Sequence, residues 1–320
     1  MLVRPEPLPD ELDRGYLGRV GRINGIQNER HCVSMITSWA GLAGRSRKKV
    51  PCVELLRRIS EMTTKAFVCR HTMLPFRRGI TSCQPDMPHG DASSRTMLRA
   101  SGLRLARPGS YFCCECVAAD QDFHGISYWR REHQIPGTLR CDKHSTPLCY
   151  VDDERSFYAA PSAFLGNCRS ISAERAQRSS ENPAVRRYLE ICSGLLDRPI
   201  PFDVQVVSRA LTGRACRSGL QRASSPRRTA ATPLLSDVVL DAFGTDWIAQ
   251  VFPDLVEKPR GEVMNRMDGV LYQGKSAFSV VPYVLAASVL FGSSDDALDS
   301  FLDYEEIEKR RRAERASRRV

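Results

Sequence analysis

Three cysteines and one histidine in the middle of this chain have the spacing of ligands that share one metal ion. Two residues separate Cys113 from Cys116, two separate Cys141 from His144, and 24 residues lie between the pairs. Zinc prefers four tetrahedral thiolate and imidazole ligands, and a two-residue spacing lets one tight turn aim both of its ligands at a single point. The pattern predicts a zinc ion bound by these four residues.

A complete set of three cysteines and one histidine leaves no open coordination position for water or substrate. We therefore expect the zinc to be structural, because its binding would contribute folding free energy and supply no Lewis-acid chemistry. Spacing disfavours Cys114 and Cys149 as rival ligands. His124 falls in an expected loop, and His133 falls in an expected short helix at 128–134, where an imidazole more often satisfies a local backbone group.

The start of the chain, MLVRPEPLPDELDRGYLGRV, carries charges throughout and lacks the apolar core of a secretion signal. We expect residence in the cytoplasm, where a reducing environment keeps the 12 cysteines from forming disulfides. Clustered cysteines then indicate a metal site, and scattered cysteines indicate small buried residues. The strongly apolar part of 276–294 is too short to cross a membrane, so a buried helix is expected there.

Apolar residues recur at spacings of three and four along most of the chain, which predicts a mainly α protein. A helix that begins near Leu12 is expected to end at Asn24-Gly25, and a second helix covers 53–67. Segment 84–110 is rich in Pro, Gly, Ser and Arg and predicts an irregular connection. Later helices are predicted at 183–196, 204–220, 234–243 and 282–291.

These elements predict two domains. Residues 1–155 form a helical N-terminal domain that includes the zinc finger at 111–148, and residues 156–320 form a helical C-terminal domain with a basic tail. Almost no apolar face continues beyond Ile307. We therefore expect the last helix to fray into that tail.

A formal net charge of +10 favours a polyanionic partner, with nucleic acid as the first candidate. An arginine-rich composition gives the same balance without any partner, and a solvated surface explains any one basic cluster more simply. Clustered Arg and Lys would contact phosphates without reading bases. The candidate DNA-binding residues are Arg47, Lys48, Lys49, Arg130, Arg131, Arg227 and Arg228, and the C-terminal tail is a further candidate.

Segment 204–252 contains the outline of a helix-turn-helix, with a helix at 234–243, a turn at Gly244 and a second helix from Asp246. The second helix carries Trp247 and other large apolar residues. Because such a helix packs into a core more readily than into a DNA groove, we favour core packing. DNA binding by this segment is the alternative.

Several unusual residues around the predicted ligands occur in an order that resembles the TniQ family. The pattern Y-x-C-x-x-C is followed by YWRREHQIPG, by C-x-x-H and by Pro147-Leu148, as in the family's zinc finger. Upstream, ELDRGYLGRVGRING resembles the family's opening helix, and FVCRHTMLPF resembles its His-Thr-x-x-Pro segment. The resemblance runs to about residue 150, and 238–252 and 284–293 resemble late family helices more loosely.

Two positions depart from the family pattern. Cys114 stands where the first knuckle usually has proline, which leaves that turn less rigid but still able to form. Pro282-Tyr283 stands where the family has His-Pro. Any role that the family gives to this second corner is not carried over to this chain.

The resemblance implies an accessory protein of transposition. Such a protein selects a target site and recruits the transposon's AAA+ ATPase and, through it, the transposase, without being the transposase. Target DNA is recognised directly or through an RNA-guided complex, and members of the CRISPR-associated branch can pair as homodimers. The sequence leaves the branch open.

Two other functions compete with this one. An enzyme is disfavoured, because neither an HExxH motif, nor a convincingly spaced acidic pair, nor a GxxxxGK[ST] loop accompanies the metal ligands. A zinc-ribbon DNA-binding transcription regulator suits the charge and the zinc equally well. Association with an AAA+ ATPase would distinguish a transposition protein from a regulator.

Overall fold

Helices dominate the architecture, as the apolar spacing predicts. A computed structural model describes residues 2–44, 50–220, 232–272 and 279–317. Internal contacts divide the chain into two compact units. The first unit contains residues 1–75 and 88–178, and the second contains residues 76–87 and 179–320.

The first unit extends past the predicted domain boundary. Trp129 donates its indole N–H to the carbonyl of Ala159 at 2.9 Å, and its ring packs edge-on against Phe157 with 5.0 Å between centroids. A strand at Arg169–Ser170 also pairs with a strand at Cys149–Val151. These contacts join residues distant in sequence, so helical periodicity does not reveal them.

The helices in the first part of the chain are short, and polar caps fix several of their starts. The side chains of Asn28, Thr63 and Ser94 each accept a backbone N–H bond from the first turn that follows. From the N-terminus the helices are α1 (Asp13–Ile23), α2 (Glu29–Trp39), α3 (Cys52–Ile59), α4 (Thr64–His71), α5 (Leu74–Arg77), α6 (Arg95–Ser101) and α7 (Cys114–His124).

The single helix predicted at 53–67 is wrong, because the chain forms two helices there. Helix α3 ends at Ile59, and α4 begins at Thr64. Between them Glu61 adopts the left-handed conformation with φ 57°, which an α-helix of L-residues does not continue through. The helical spacing of apolar residues continues across this break, so the spacing alone predicts one helix instead of two.

Helix α1 packs closely because two of its glycines face neighbouring elements. A Cβ at Gly15 would lie 2.9 Å from Cδ1 of Trp129, and one at Gly18 would lie 2.7 Å from the Cα of Tyr158. Real side chains do not tolerate such separations, so both positions need glycine. The helix ends at Asn24, as predicted.

A buried ion pair and a buried histidine lie beside α1. Arg19 donates to the Glu11 carboxylate at 2.8 Å through Nε and at 2.6 Å through Nη2, and both side chains are buried. His71 has Nδ1 at 2.9 Å from the carbonyl of Glu11. Burial lowers the pKa of His71 to about 4, so the ring is neutral at pH 7 and donates its Nδ1 proton to this carbonyl. His71 therefore has a structural role.

Short strands frame the cysteine-rich segment. In the described residues the strands are β1 (Ile80–Thr81), β2 (Ser110–Phe112), β3 (Cys149–Val151), β4 (Arg169–Ser170) and β5 (Phe202–Asp203). Strands β2, β3 and β4 form an antiparallel sheet in that order, in which Cys149 pairs with Phe112 on one side and Ser170 on the other. Strands β1 and β5 pair in parallel within the second unit.

The four helices predicted at 183–196, 204–220, 234–243 and 282–291 are confirmed to within a few residues, and the later part of the chain contains further helices. The helices of this part are α8 (Ala173–Glu181), α9 (Pro183–Asp197), α10 (Val204–Arg217), α11 (Leu235–Phe243), α12 (Thr245–Val251), α13 (Asn265–Asp268), α14 (Val281–Leu290) and α15 (Ser294–Ser317). Helix α14 is buried on almost every side and packs against α9, α10 and α11. None of the helices in the described ranges has both the length and the apolar character needed to span a bilayer.

Helices α11 and α12 have the outline of the predicted helix-turn-helix and pack as core. Gly244 joins them with φ 76°. Trp247 in α12 stacks on Phe243 with 4.8 Å between centroids and packs edge-on against Tyr188 at 5.0 Å. The exposed positions of α12, which are Thr245, Asp246, Ala249 and Gln250, include no basic residue to contact phosphate.

Helix α15 continues to Ser317, so the prediction that it frays soon after Ile307 is wrong. Ion pairs four residues apart accompany its exposed half, between Lys309 and Glu305 at 3.7 Å and between Arg310 and Glu306 at 3.1 Å. Such pairs stabilise an exposed helix by a few tenths of a kcal/mol each. They replace the missing apolar face as a source of helix stability.

The packing of α1 predicts the effect of one added methyl group. We expect Gly18→Ala to lower the free energy of unfolding by about 1–3 kcal/mol, because the new Cβ would collide with the backbone of Tyr158. Gly166→Ala is the matched control, since a Cβ there meets no atom within 4 Å. Urea unfolding of both variants measures the difference. A Gly18→Ala midpoint equal to that of the control would contradict this packing.

Candidate metal centre

The structure brings the four predicted ligands together. The sulfurs of Cys113, Cys116 and Cys141 and a ring nitrogen of His144 all lie within 4.8 Å of one another. Nδ1 of His144 is 3.5 Å from the Cys113 sulfur and 3.2 Å from the Cys116 sulfur. The Cys141 sulfur is 3.7 Å from each of Nδ1 and the Cys116 sulfur. The cysteines are buried, and the histidine is half-buried.

These separations fit a tetrahedral zinc ion. Zinc lies about 2.3 Å from sulfur and about 2.0–2.1 Å from nitrogen, so the ligand atoms of a tetrahedron would be about 3.5–3.8 Å apart. Four of the six separations run from 3.2 to 3.7 Å, and the two others, between the Cys113 sulfur and the sulfurs of Cys116 and Cys141, lie within 4.8 Å. Thiolate and imidazole are also the donors that zinc prefers. The cluster could therefore hold a zinc ion with all four positions taken by protein.

The first knuckle lies at the junction of a strand and a helix. Strand β2 ends at Phe112, and Cys113 follows it in an extended conformation immediately before α7. The carbonyl of Cys113 accepts the N–H of Val117 at 3.0 Å, so Cys116 lies in the first helical turn. Backbone N–H groups at the start of a helix stabilise negative charge. Both thiol ligands therefore lie at the positively polarised end of α7.

The second knuckle is a tight turn fixed by backbone hydrogen bonds. Cys141 donates its N–H to the carbonyl of Thr146, and Ser145 donates to the carbonyl of Cys141, both at 2.8 Å. Ser145 has a left-handed φ of 58°, which reverses the chain after His144. Arg140 donates Nε to the carbonyl of Ser145 at 2.6 Å. The turn aims the Cys141 and His144 side chains at the first knuckle.

The ionisation of the ligand thiols favours the binding of a cation at this cluster. Hydrogen bonds from Cys116 and Cys141 hold the pKa of Cys113 well below its usual range, and the pKa of Cys116 is raised by its bond to Cys113. Two thiol protons thus stabilise one anionic sulfur. Three thiolates in contact would repel one another, and a divalent cation compensates that charge. Metal binding and release of the thiol protons are therefore coupled.

The rival ligands lie outside this cluster. The sulfurs of Cys114 and Cys149 are 3.4 Å from each other and belong to neither knuckle's set. His124 is the last residue of α7, where the sequence had predicted a loop. His133 is buried, and burial lowers its pKa to about 3, which keeps it neutral. The short helix around it is a 3-10 turn at Glu132–Gln134.

Arg130 and Arg131, both predicted to contact DNA, are engaged inside the first unit. Arg130 donates to the carboxylate of Asp120 at 2.6 Å, and its guanidinium carbon lies 4.5 Å from the ring centroid of Tyr128. Arg131 donates to Asp10 at 2.8 Å, and its side chain is 7% exposed. Removing one partner of a buried ion pair is costly. This geometry favours a structural role, and DNA contact by these residues stays a prediction.

The other members of the YWRREHQIPG segment also link separate parts of the first unit. Gln134 donates Nε2 to the carbonyl of Tyr111 at 2.7 Å and accepts the Tyr111 N–H at 3.1 Å, as a neighbouring strand would. The carbonyl of Trp129 accepts the N–H of Leu12 at 2.8 Å, just before α1. The sequence pattern identifies this segment. It does not reveal the partners of these residues, because those partners are distant in sequence.

The remaining predicted DNA-binding residues belong to two other basic segments of the chain. Arg47, Lys48, Lys49, Arg227 and Arg228 lie outside the described residues. The basic C-terminal segment is described up to Ser317, and residues 309–315 of α15 are exposed. This end of α15 is therefore the predicted DNA-contacting cluster that the structure places at the surface.

Comparison with known proteins shows that the first part of the chain is similar to one protein family. Residues 2–148 match the family model described as TniQ. The matched segment contains α1, the His71 region and both metal knuckles, and it ends next to β3. No curated protein matches the chain.

The metal centre predicts the effect of removing one ligand. We expect Cys116→Ala to reduce bound zinc from about one ion per chain to nearly none, and to leave the first unit poorly folded. Zinc binding in small structural sites contributes about 10–16 kcal/mol of apparent free energy, and that energy is folding energy. Elemental analysis and circular dichroism measure both effects. Cys69→Ala is the control, because Cys69 lies outside the cluster. Stoichiometric zinc in the Cys116→Ala protein would refute this ligand set.

Proposed function

Residues 2–148 of this chain form a TniQ domain, and from that premise we infer that the protein selects the target site of a transposon and recruits its machinery. The partners we propose are target DNA, the AAA+ ATPase of the transposon and, through that ATPase, the transposase. Recognition of the target is either direct or through an RNA-guided complex. A homodimer is a further proposed state of the protein.

The match to the TniQ family is the observation that carries this proposal. The closed coordination of the metal cluster supports a non-catalytic role, because three sulfurs and one nitrogen complete a zinc ion's shell. A catalytic zinc would keep one position open for water. We propose that the metal supports a recognition scaffold and that the chemistry of strand transfer belongs to the partners.

The exposed end of α15 is the surface we propose for DNA backbone contact. Residues 309–315 contain five basic side chains and one acidic side chain, and all are exposed. Lys309, Arg310 and Arg312 pair with carboxylates of the second unit. The first two pairs lie within α15, and the third links the helix to Asp203.

Two arginines on this helix are the residues that we propose for phosphate contact. Arg311 and Arg315 are exposed and four residues apart, so their side chains lie on one face of α15. Neither has an ion-pair partner within the part of the chain that the structure describes. A basic helix of this kind binds the backbone through counterion release and carries little base specificity.

A co-purification experiment tests the proposed function. The tagged full-length protein should retain an AAA+ ATPase from its native host only when DNA is present, and nuclease treatment should release it. Sequence-specific DNA binding without any ATPase would instead indicate a transcription regulator and overturn the proposal. Zinc content measured on the same preparation checks that the metal site of the first unit has formed.

The α15 surface makes a separate prediction about salt. Replacing both Arg311 and Arg315 with Ala should reduce the slope of log Kd against log salt by about two, since each phosphate contact contributes about 0.9. Arg95→Ala with Arg99→Ala is the matched control, because these exposed arginines are also four apart on one helix, α6. Equal slopes for the wild-type protein and the α15 variant would remove this helix from the DNA interface.

A further inference from the structure

A pair of thiols lies beside the metal knuckles without belonging to them. Cys114 is the first residue of α7, and Cys149 is the first residue of β3. Their sulfurs are 3.4 Å apart, which brings residues 35 positions apart in sequence into sulfur–sulfur contact. Neither is a member of the four-ligand cluster. The metal does not need these thiols, so they are available for other chemistry.

The two thiols differ in their access to solvent. Cys114 is exposed, whereas Cys149 is 7% exposed. A dissolved oxidant would therefore reach Cys114 first. The buried sulfur already touches it and is positioned to react next. An accessible cysteine next to a second cysteine is the arrangement found in reversible redox sites.

The backbone holds both sulfurs close to a bonding distance. Strand β3 is paired on both edges, with Cys149 opposite Phe112 in β2 and Ser170 in β4. Cys114 is the second residue after β2, next to the ligand Cys113 and two residues before the ligand Cys116. A disulfide requires about 2.05 Å between sulfurs. The sulfurs must therefore approach by about 1.4 Å for the bond to form.

A third thiol, that of Cys168, interacts with Cys149. Cys168 is two residues before Ser170, the β4 partner of Cys149. Its thiol and that of Cys149 are hydrogen-bonded, and its side chain is only partly buried. Cys149 thus interacts with two other thiols, and its sulfur lies 3.4 Å from that of Cys114.

We propose that Cys114 and Cys149 form a reversible peroxide-responsive disulfide site. Peroxide transfers one of its oxygens to the Cys114 sulfur, which becomes a sulfenic acid, and the other oxygen leaves as water. The Cys149 sulfur then attacks the Cys114 sulfur, a second water leaves, and the disulfide forms. The two thiols lose two electrons and two protons in total, and both oxygens of the peroxide end in water. A cellular dithiol reverses the step by thiol–disulfide exchange.

This disulfide would add a second link between the same two segments that the metal joins. The metal cluster connects Cys113 and Cys116 with Cys141 and His144, and the disulfide would connect the start of α7 with β3. Oxidation should therefore leave the zinc in place. The inference depends on the thiol geometry and is independent of the proposed role in transposition.

Peroxide treatment of the full-length, zinc-loaded protein tests the site. After alkylation of free thiols, peptide mapping should find one major cross-link, between Cys114 and Cys149, with the zinc content unchanged. Dithiothreitol should return both cysteines to the alkylated form. In Cys149→Ser, a dimedone adduct of sulfenic acid at Cys114 should become the main product in place of the cross-link.

Cys216 is an internal control, since it is exposed on α10 and makes no sulfur contact in the described structure. It should form a dimedone adduct to the same extent in the wild-type protein and in Cys149→Ser. Equal dimedone labelling of Cys114 in these two proteins would overturn the proposal. A cross-link through Cys113, Cys116 or Cys141 accompanied by loss of zinc would overturn it as well.

Discussion

The convergence of three thiols and one imidazole is the constraint around which the first unit is organised. Cys113 and Cys116 come from the start of α7, and Cys141 and His144 come from a turn preceding β3. Close thiolates repel one another, so the arrangement depends on protons or on a cation to hold it together. Strands β2 and β3 flank the two knuckles and hold them in register. Metal binding and formation of this small sheet are therefore expected to be one cooperative event.

The residues that carry the family resemblance are mostly internal links. Arg131 joins the segment after α7 to Asp10, Gln134 joins it to β2, and the carbonyl of Trp129 joins it to the start of α1. Gly15 and Gly18 allow α1 to approach this segment closely. These contacts link the segment that lies between the two metal knuckles to the N-terminal helix of the first unit.

Much of this architecture can be read from the sequence because the signals are local. Two-residue ligand spacing identifies the metal cluster, and apolar spacing places α9, α10, α11 and α14. Non-local features could not be read in the same way. Strands of two or three residues leave no periodic signal, α7 begins within the ligand motif, and the partners of Arg130 and Arg131 come from distant segments. The persistence of α15 depends on ion pairs that apolar patterning ignores.

Zinc K-edge X-ray absorption on the purified, folded protein tests the central claim most directly. The account predicts about one zinc per chain, with three sulfur ligands at about 2.3 Å and one nitrogen at about 2.0–2.1 Å. The same protein denatured with a chelator should lose this shell together with its native fold. A natively folded protein without metal, or a zinc shell composed mainly of oxygen, would contradict the account.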